Sequence, residues 1–203
     1  MSKVKICGLS RVEDIVVVNR VLPDYIGFVF APSRRRIDTK TAQQLKAKLD
    51  PQIKAVGVFV NESINNVAET YQNGIVDVVQ LHGDEDDDYI RLLKDVCNCQ
   101  VIKAVGVGEA LPPLPKGADY LLFDTLSQQR GGIGKTFDWS VLHDYNGPPY
   151  FLAGGLNAHN VVDSLELLAP FAVDVSSGVE TDGVKDAEKI EMFVTLVRGG
   201  RNG

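Results

Sequence analysis

Cysteine, histidine, methionine and tryptophan are all scarce in this chain of 203 residues, numbering three, three, two and one. Cys7, Cys97 and Cys99 are too few, too widely split and odd in number for a disulfide scaffold, which points to a reduced, cytoplasmic protein. Three histidines and three cysteines without finger-type spacing exclude structural zinc, and no metal site is expected. No apolar run approaches the roughly 18–20 residues of a membrane span. Met1-Ser2-Lys3-Val4-Lys5-Ile6 enters a strand-like segment with no apolar leader before it. Basic residues are outnumbered, 21 to 27, and a net charge of −6 is poorly suited to holding a nucleic-acid backbone. Linkers, low-complexity segments and a repeat between the halves are also lacking, so the expectation is a single domain over 1–203.

What the chain does have is 19 glycines and short, evenly spaced apolar clusters at 3–7, 25–30, 54–60, 76–82, 100–107, 120–124, 150–153 and 171–175. Runs rich in Val, Ile, Phe and Leu are the pattern of strands buried on both faces, as in a parallel sheet covered by helices. Helical spacing fills 11–21, 39–49, 63–72, 86–96, 157–168 and 186–197, with Asp38, Ser63 and Asn157 as capping residues. After the fifth strand, Leu111-Pro112-Pro113-Leu114-Pro115 forbids a regular helix. Eight strands alternating with about six helices predict an α/β fold, a single (β/α)8 TIM barrel with an irregular connection after strand five. A doubly wound open sheet is the alternative, disfavoured because no strand reads as an edge.

In a barrel of this kind the site lies at the carboxyl ends of the strands. Gly154-Gly155 and Ser176-Ser177-Gly178 are tight turns after strands seven and eight, where backbone N–H groups approach an anion closely. Together they favour a phosphorylated substrate over plain turns. Cys7 ends strand one and is either a general base or a small core residue. Asp124 closes an otherwise apolar strand, as a helix cap or a site carboxylate. One guanidinium of Arg34-Arg35-Arg36 is suited to gripping a carboxylate. Alternation puts Lys5 on the face of Cys7, and a buried ammonium there needs a partner, predicted to be Asp174 on strand eight. Gln80 and His82 share a face, with Lys103 expected beside them. Gly131-Gly132-Ile133-Gly134-Lys135-Thr136 ends like a P-loop without its first glycine and reads better as a lid. His143 and His159 are expected to face solvent from helical stretches. Cys97-Asn98-Cys99 carries no site without further ligands, and acidic 84–88 suits a helix start better than a metal.

Ten segments stand out in order along the chain. The earlier ones are Lys5-Ile6-Cys7-Gly8, Gly27-Phe28-Val29-Phe30, Ser33-Arg34-Arg35-Arg36-Ile37, Val56-Gly57-Val58-Phe59-Val60-Asn61 and Val79-Gln80-Leu81-His82-Gly83. The later ones are Ile102-Lys103-Ala104, Phe123-Asp124, Gly134-Lys135-Thr136-Phe137-Asp138-Trp139, Gly154-Gly155-Leu156-Asn157 and Asp174-Val175-Ser176-Ser177-Gly178-Val179-Glu180. Taken together, they resemble the phosphoribosylanthranilate isomerase family of tryptophan biosynthesis. The resemblance implies a cofactor-free Amadori rearrangement of an aminoaldose phosphate, acting on a small sugar–anthranilate phosphate, in a monomer or homodimer. It implies Cys7 as general base, Asp124 as general acid and Arg35 on the anthranilate carboxylate, with Arg36 the alternative if the register slips by one. His82 falls in the substrate site, and Gly154, Gly155, Ser177 and Gly178 would hold the phosphate. Rival barrels fit less well. An indole-glycerol-phosphate synthase would need a lysine–glutamate set at the strand ends. The histidine-pathway isomerase uses paired aspartates in a half-repeated chain, and a non-catalytic phosphate binder gives Cys7 and Asp124 no reason to share a site.

Overall fold

The structure, a computed structural model, describes residues 1–126 and 136–199. Eight parallel strands close on themselves in sequence order. They are β1 (Lys3–Cys7), β2 (Tyr25–Val29), β3 (Lys54–Phe59), β4 (Val78–Leu81), β5 (Val101–Val107), β6 (Tyr120–Thr125), β7 (Tyr150–Leu152) and β8 (Ala172–Val175). Helices α1 (Val12–Val21), α2 (Thr39–Lys46), α3 (Ile64–Gln72) and α4 (Asp87–Cys97) follow the first four strands. α5 (Val161–Leu168) follows β7. Beyond β8 a two-stranded hairpin, β9 (Glu180–Thr181) and β10 (Val184–Lys185), precedes α6 (Ala187–Val197). Every barrel strand is an apolar run, as the pattern required, because each is sandwiched between the barrel interior and the helical ring.

No helix separates β5 from β6, where Pro112, Pro113 and Pro115 withhold N–H donors. Only a short 3-10 turn, Trp139–Leu142, stands before β7 among the described residues. Side-chain caps start α2 at Asp38, α3 at Ser63, α4 at Asp86 and α6 at Asp186. The capping expected of Asn157 is not seen. Its side chain accepts from His159 N and donates to Gly155 O, shaping a turn, and α5 begins only at Val161. His159 is exposed in that turn, not on a helix, and His143 is exposed at the end of the 3-10 turn. The β9–β10 hairpin has no counterpart among the expected elements. Its turn residues Asp182 and Gly183 have φ of 52° and 80°, the pair of left-handed conformations that a two-residue hairpin requires. Among the described residues, no helix is long and apolar enough to cross a membrane.

Inside, the barrel is layered. At the amino-terminal end Tyr25, Tyr120, Phe151 and Phe171 pack edge to face or stacked, with ring centroids 4.8–5.7 Å apart. Lys3 lays its ammonium over Tyr25 and Phe171. Above this floor come Val56, Val78, Ile102 and Leu122. Into this apolar interior β1 projects Lys5, fully buried, and the register opposes it to Asp174 on β8 with Nζ 2.9 Å from Oδ1. Burial, the largest single influence, would lower the Lys5 ammonium, but Asp174 and Cys7 together hold the value above the ordinary lysine range. The contribution of the pair is therefore complete below the ordinary lysine range and fades only as pH climbs through the raised value.

Asp174→Asn strands that ammonium, and urea unfolding at neutral pH is expected to show a loss of about 3 kcal/mol or more. Lys5→Met combined with Asp174→Leu removes both charges and should recover most of it; equal losses in the single and double variants would refute the buried-pair account.

Candidate active site

The carboxyl ends of the strands gather the polar groups. Cys7 closes β1, and its sulfur occupies the space over Gly27 on β2. A Cβ at position 27 would stand 2.6 Å from Sγ, so only glycine leaves the thiol its place. Burial raises the Cys7 thiol above its ordinary value, opposed by the ammonium groups of Lys5 and Lys185, while Asp174 adds to the rise. The thiol therefore lies in a pocket that resists ionisation by burial and favours it by charge.

Next to it, Gly8 sits at φ 83° and lets Arg35 cross its backbone; a Cβ there would meet Arg35 Cδ at 2.5 Å. Ile37 N bonds Val29 O and Arg36 N bonds Ser33 O, so the loop after β2 doubles back and throws Arg35 over the barrel mouth. The Arg35 guanidinium is held bidentately by Glu180, Nε to Oε1 at 2.6 Å and Nη2 to Oε2 at 2.9 Å. That pairing raises the Arg35 value further. Arg36 instead turns outward into a groove with Phe30, Phe59 and Glu62. Of the two arginines, Arg35 is the one beside Cys7.

On the other side of the mouth, β4 and the residue after it bring Gln80 and His82 onto one face, with Gln80 Nε2 2.9 Å from His82 Nδ1. His82 Nε2 lies 3.6 Å from Asp124 Oδ2. Asp124 Oδ1 accepts the N–H of Thr125 at 2.8 Å, and among the described residues Asp124 caps no helix. Lys103 does not join them. Gln80 pairs in register with Ile102, and Lys103 with Leu81, so alternation turns Lys103 to the outer face. There Glu85 Oε2 at 2.9 Å and Gly83 O at 2.7 Å take its ammonium.

The turns after β7 and β8 touch each other. Gly154 and Gly155 have φ of 82° and 75°. A Cβ on Gly154 would lie 2.7 Å from Thr125 N and 3.1 Å from Asp124 Oδ1, and one on Gly178 would collide with the carbonyl of Leu156. Ser177 and Gly178 open a 3-10 turn, whose first N–H groups have no acceptor within it. The helix expected directly after Gly155 is absent, because the Asn157 turn intervenes. Residues 127–135, including the lid expectation for Gly131–Lys135, lie outside the described residues. All three cysteines are free thiols, and among the described residues no group of three or more His, Cys, Asp or Glu could hold a metal ion. Neither Glu180, which closes the last of the family-like segments, nor Lys185 was expected to act at the site. The signal that links them is the Asp182-Gly183 hairpin turn between them.

A closed parallel barrel with its polar groups at one mouth puts the protein in the class of (β/α)8-barrel enzymes. The family described as N-(5'phosphoribosyl)anthranilate (PRA) isomerase matches residues 4–196. The chain is 48% identical over 199 residues to the N-(5'-phosphoribosyl)anthranilate isomerase of Endomicrobium trichonymphae, covering 98% of this chain and 99% of the relative. It superposes on the Thermotoga maritima phosphoribosyl anthranilate isomerase crystal structure with a TM-score of 0.86 at 37% identity, covering 98% of this chain and 100% of that one. A similar solved isomerase, 34% identical with a TM-score of 0.83 and the same coverage, holds reduced 1-(o-carboxyphenylamino)-1-deoxyribulose 5-phosphate. The chain belongs to the phosphoribosylanthranilate isomerase family.

Gly27→Ala pushes the Cys7 sulfur from its seat while leaving the apolar layers below untouched. A displacement of about 1 Å at a reacting group costs on the order of a hundredfold in turnover. That loss, with an unchanged circular dichroism spectrum, is the expected result; wild-type turnover would show that the thiol position is not critical.

Proposed function

We propose that Cys7 is the general base and Asp124 the general acid of the reaction, that Arg35 holds the anthranilate carboxylate, that His82 lines the substrate beside Asp124, and that Gly154, Gly155, Ser177 and Gly178 receive the phosphate. The chain is an isomerase that converts N-(5'-phosphoribosyl)anthranilate to 1-(2-carboxyphenylamino)-1-deoxyribulose 5-phosphate in tryptophan biosynthesis. The observation that carries the assignment of roles is that a thiol, a carboxylate and an anchored guanidinium meet at one barrel mouth, with the paired glycine turns beside them.

The rearrangement moves one hydrogen from C2′ to C1′ of the sugar, with no net oxidation. Asp124, protonated, gives its proton to the furanose ring oxygen, and the ring opens to a Schiff base with the anthranilate nitrogen. The imine makes the C2′ proton acidic, and the Cys7 thiolate removes it to form an enolamine. Loss of the enol proton and protonation at C1′ give the ketone. Two protons are handled at opposite sides of the mouth, which is why an acid and a base on separate strands suit the reaction. The backbone N–H groups of the turns after β7 and β8 suit a phosphate dianion, and it would hold the sugar end while Arg35 holds the ring end. Two anchors fix C2′ between them.

Turnover is followed by loss of anthranilate-type fluorescence from freshly made phosphoribosylanthranilate. Cys7→Ala and Asp124→Asn are each expected to lower kcat by at least about a hundredfold, the usual scale for an acid or base group, while the reduced product analogue still binds. Retained turnover in either variant would remove that residue from its role. Because burial raises the thiol and only the thiolate is alkylated, the rate at which iodoacetamide modifies Cys7 in the wild type should climb with pH through neutrality, by up to about tenfold per unit. A rate that does not change with pH would overturn the account of a thiol held protonated by burial.

A further inference from the structure

One carboxylate at the barrel mouth is shared by three cations. Glu180, with only 4% of its side chain exposed, receives Arg35 at 2.6 and 2.9 Å, Arg34 at 2.7 Å and Lys185 at 2.6 Å. Burial would raise the Glu180 carboxyl, but the hydrogen bonds from Arg35 and Lys185 hold it below the ordinary range. Lys185 is itself buried. Its ammonium also bonds Ser176 O at 2.8 Å and Ser176 Oγ at 3.3 Å, and that hydroxyl donates to Cys7 O at 3.0 Å. Burial lowers the Lys185 ammonium, with Glu180 and Cys7 opposing the fall.

The hairpin that carries these groups is fastened down from several sides. Arg11, itself gripped by the buried Asp14, donates to Lys185 O at 3.1 Å. Lys189 donates to Glu180 O at 2.8 Å, and Thr181 Oγ1 to Asp186 Oδ2 at 2.6 Å. Four residues separate Glu180 from Lys185, and the Asp182-Gly183 turn brings them face to face. The hairpin thus presents one anion and one cation to two different parts of the site.

We propose that Glu180 is a positioning residue that couples the carboxylate clamp to the base, fixing the guanidinium of Arg35 on one side and the ammonium of Lys185 near Cys7 on the other. The proposal rests on the reading of Arg35 as clamp and Cys7 as base. The bidentate pair occupies the Nε–Nη2 edge of Arg35, and among the described residues nothing bonds Nη1. Glu180 therefore fixes the direction of the guanidinium and leaves its Nη1 group to bond a second carboxylate. A guanidinium already held in place loses less entropy when the substrate arrives. Lys185 supplies the second half. The charged groups facing the thiol are Lys5 on β1, Asp174 on β8, Lys185 on β10 and Arg35 from the loop after β2. Lys5 is neutralised by Asp174. Glu180, one charge among three cations, leaves a net positive balance beside the thiol, which favours the thiolate.

The two halves separate by experiment. Steady-state turnover of phosphoribosylanthranilate across pH is combined with the rate at which iodoacetamide alkylates Cys7, followed by peptide mass mapping so that Cys97 and Cys99 do not interfere. Glu180→Gln, which keeps shape and removes charge, is expected to raise KM by about tenfold or more. It should also move the Cys7 alkylation midpoint down by about one pH unit, the scale of a nearby charge. Glu180→Asp keeps the charge, and its midpoint stays at the wild-type value while KM rises less. Lys185→Met is expected to move the midpoint up by about one unit and lower kcat, with KM nearly unchanged. A folded Glu180→Gln with wild-type KM and an unmoved midpoint would overturn the proposal. If that variant does not fold, the opposite shift in Lys185→Met decides it: a midpoint that stays put overturns it. Cys7→Ala is measured in parallel. If it retains turnover, the acid–base reading itself fails; if it is inactive while the Glu180 and Lys185 variants match wild type, only the coupling fails.

Discussion

A fully buried ammonium in the middle of a barrel has to be answered, and most of the site follows from how Lys5 is answered. β1 and β8 are the first and last strands, so the pairing of Lys5 with Asp174 falls on the seam that closes the sheet. An offset of one residue at that seam would turn Asp174 outward and leave the charge bare. The same parity places Cys7 two residues further along the same face, at the depth where the apolar layers give way to the mouth. Closure, register and the location of the thiol are thus one constraint.

Charge then decides what the thiol can do. Burial opposes the thiolate, and the protein offsets it with ammonium groups brought from distant parts of the chain, Lys5 from the first strand and Lys185 from the last hairpin. The positive groups are not scattered. Each is tied to a carboxylate, Asp174 or Glu180, so that neither ammonium stands unpaired, yet the balance near Glu180 stays positive. The surroundings of Asp124 are built differently. Asp124 is partly open, steadied by a backbone N–H and approached by His82, with Gln80 behind the imidazole. A buried thiol and a more open carboxylate are two environments suited to two roles.

Glycine supplies the clearance that both sides need. Gly27 makes room for a sulfur, Gly8 for an arginine stem and Gly178 for the carbonyl of Leu156 in the neighbouring turn. Adding one methyl group at any of these places would move the Cys7 sulfur, the Arg35 stem or the turn after β7. This is why the motifs around them are short and dense, and why Lys5-Ile6-Cys7-Gly8 and Ser176-Ser177-Gly178 were informative as strings of residues.

The eight strands, the helices after the first four, the proline-rich detour after β5 and the Lys5–Asp174 pair were readable from the chain alone, because hydrophobic period, proline chemistry and side-chain alternation are local rules. Cys7, Asp124 and the glycine turns were legible as candidates for the same reason: they end apolar runs. Local rules stop where a loop decides. Lys103 was misplaced because its face depends on the register of β5 against β4, and the helix after Gly155 was misplaced because Asn157 bonds its own turn instead of capping. Arg35 and Arg36 are neighbours of the same type, and only the doubling back of the loop after β2 turns one toward Cys7 and the other away. Glu180 and Lys185 acquire their place through contacts with residues more than a hundred positions away, such as Arg35 and Arg11. Such long-range electrostatics come from packing, and no spacing along the chain encodes them.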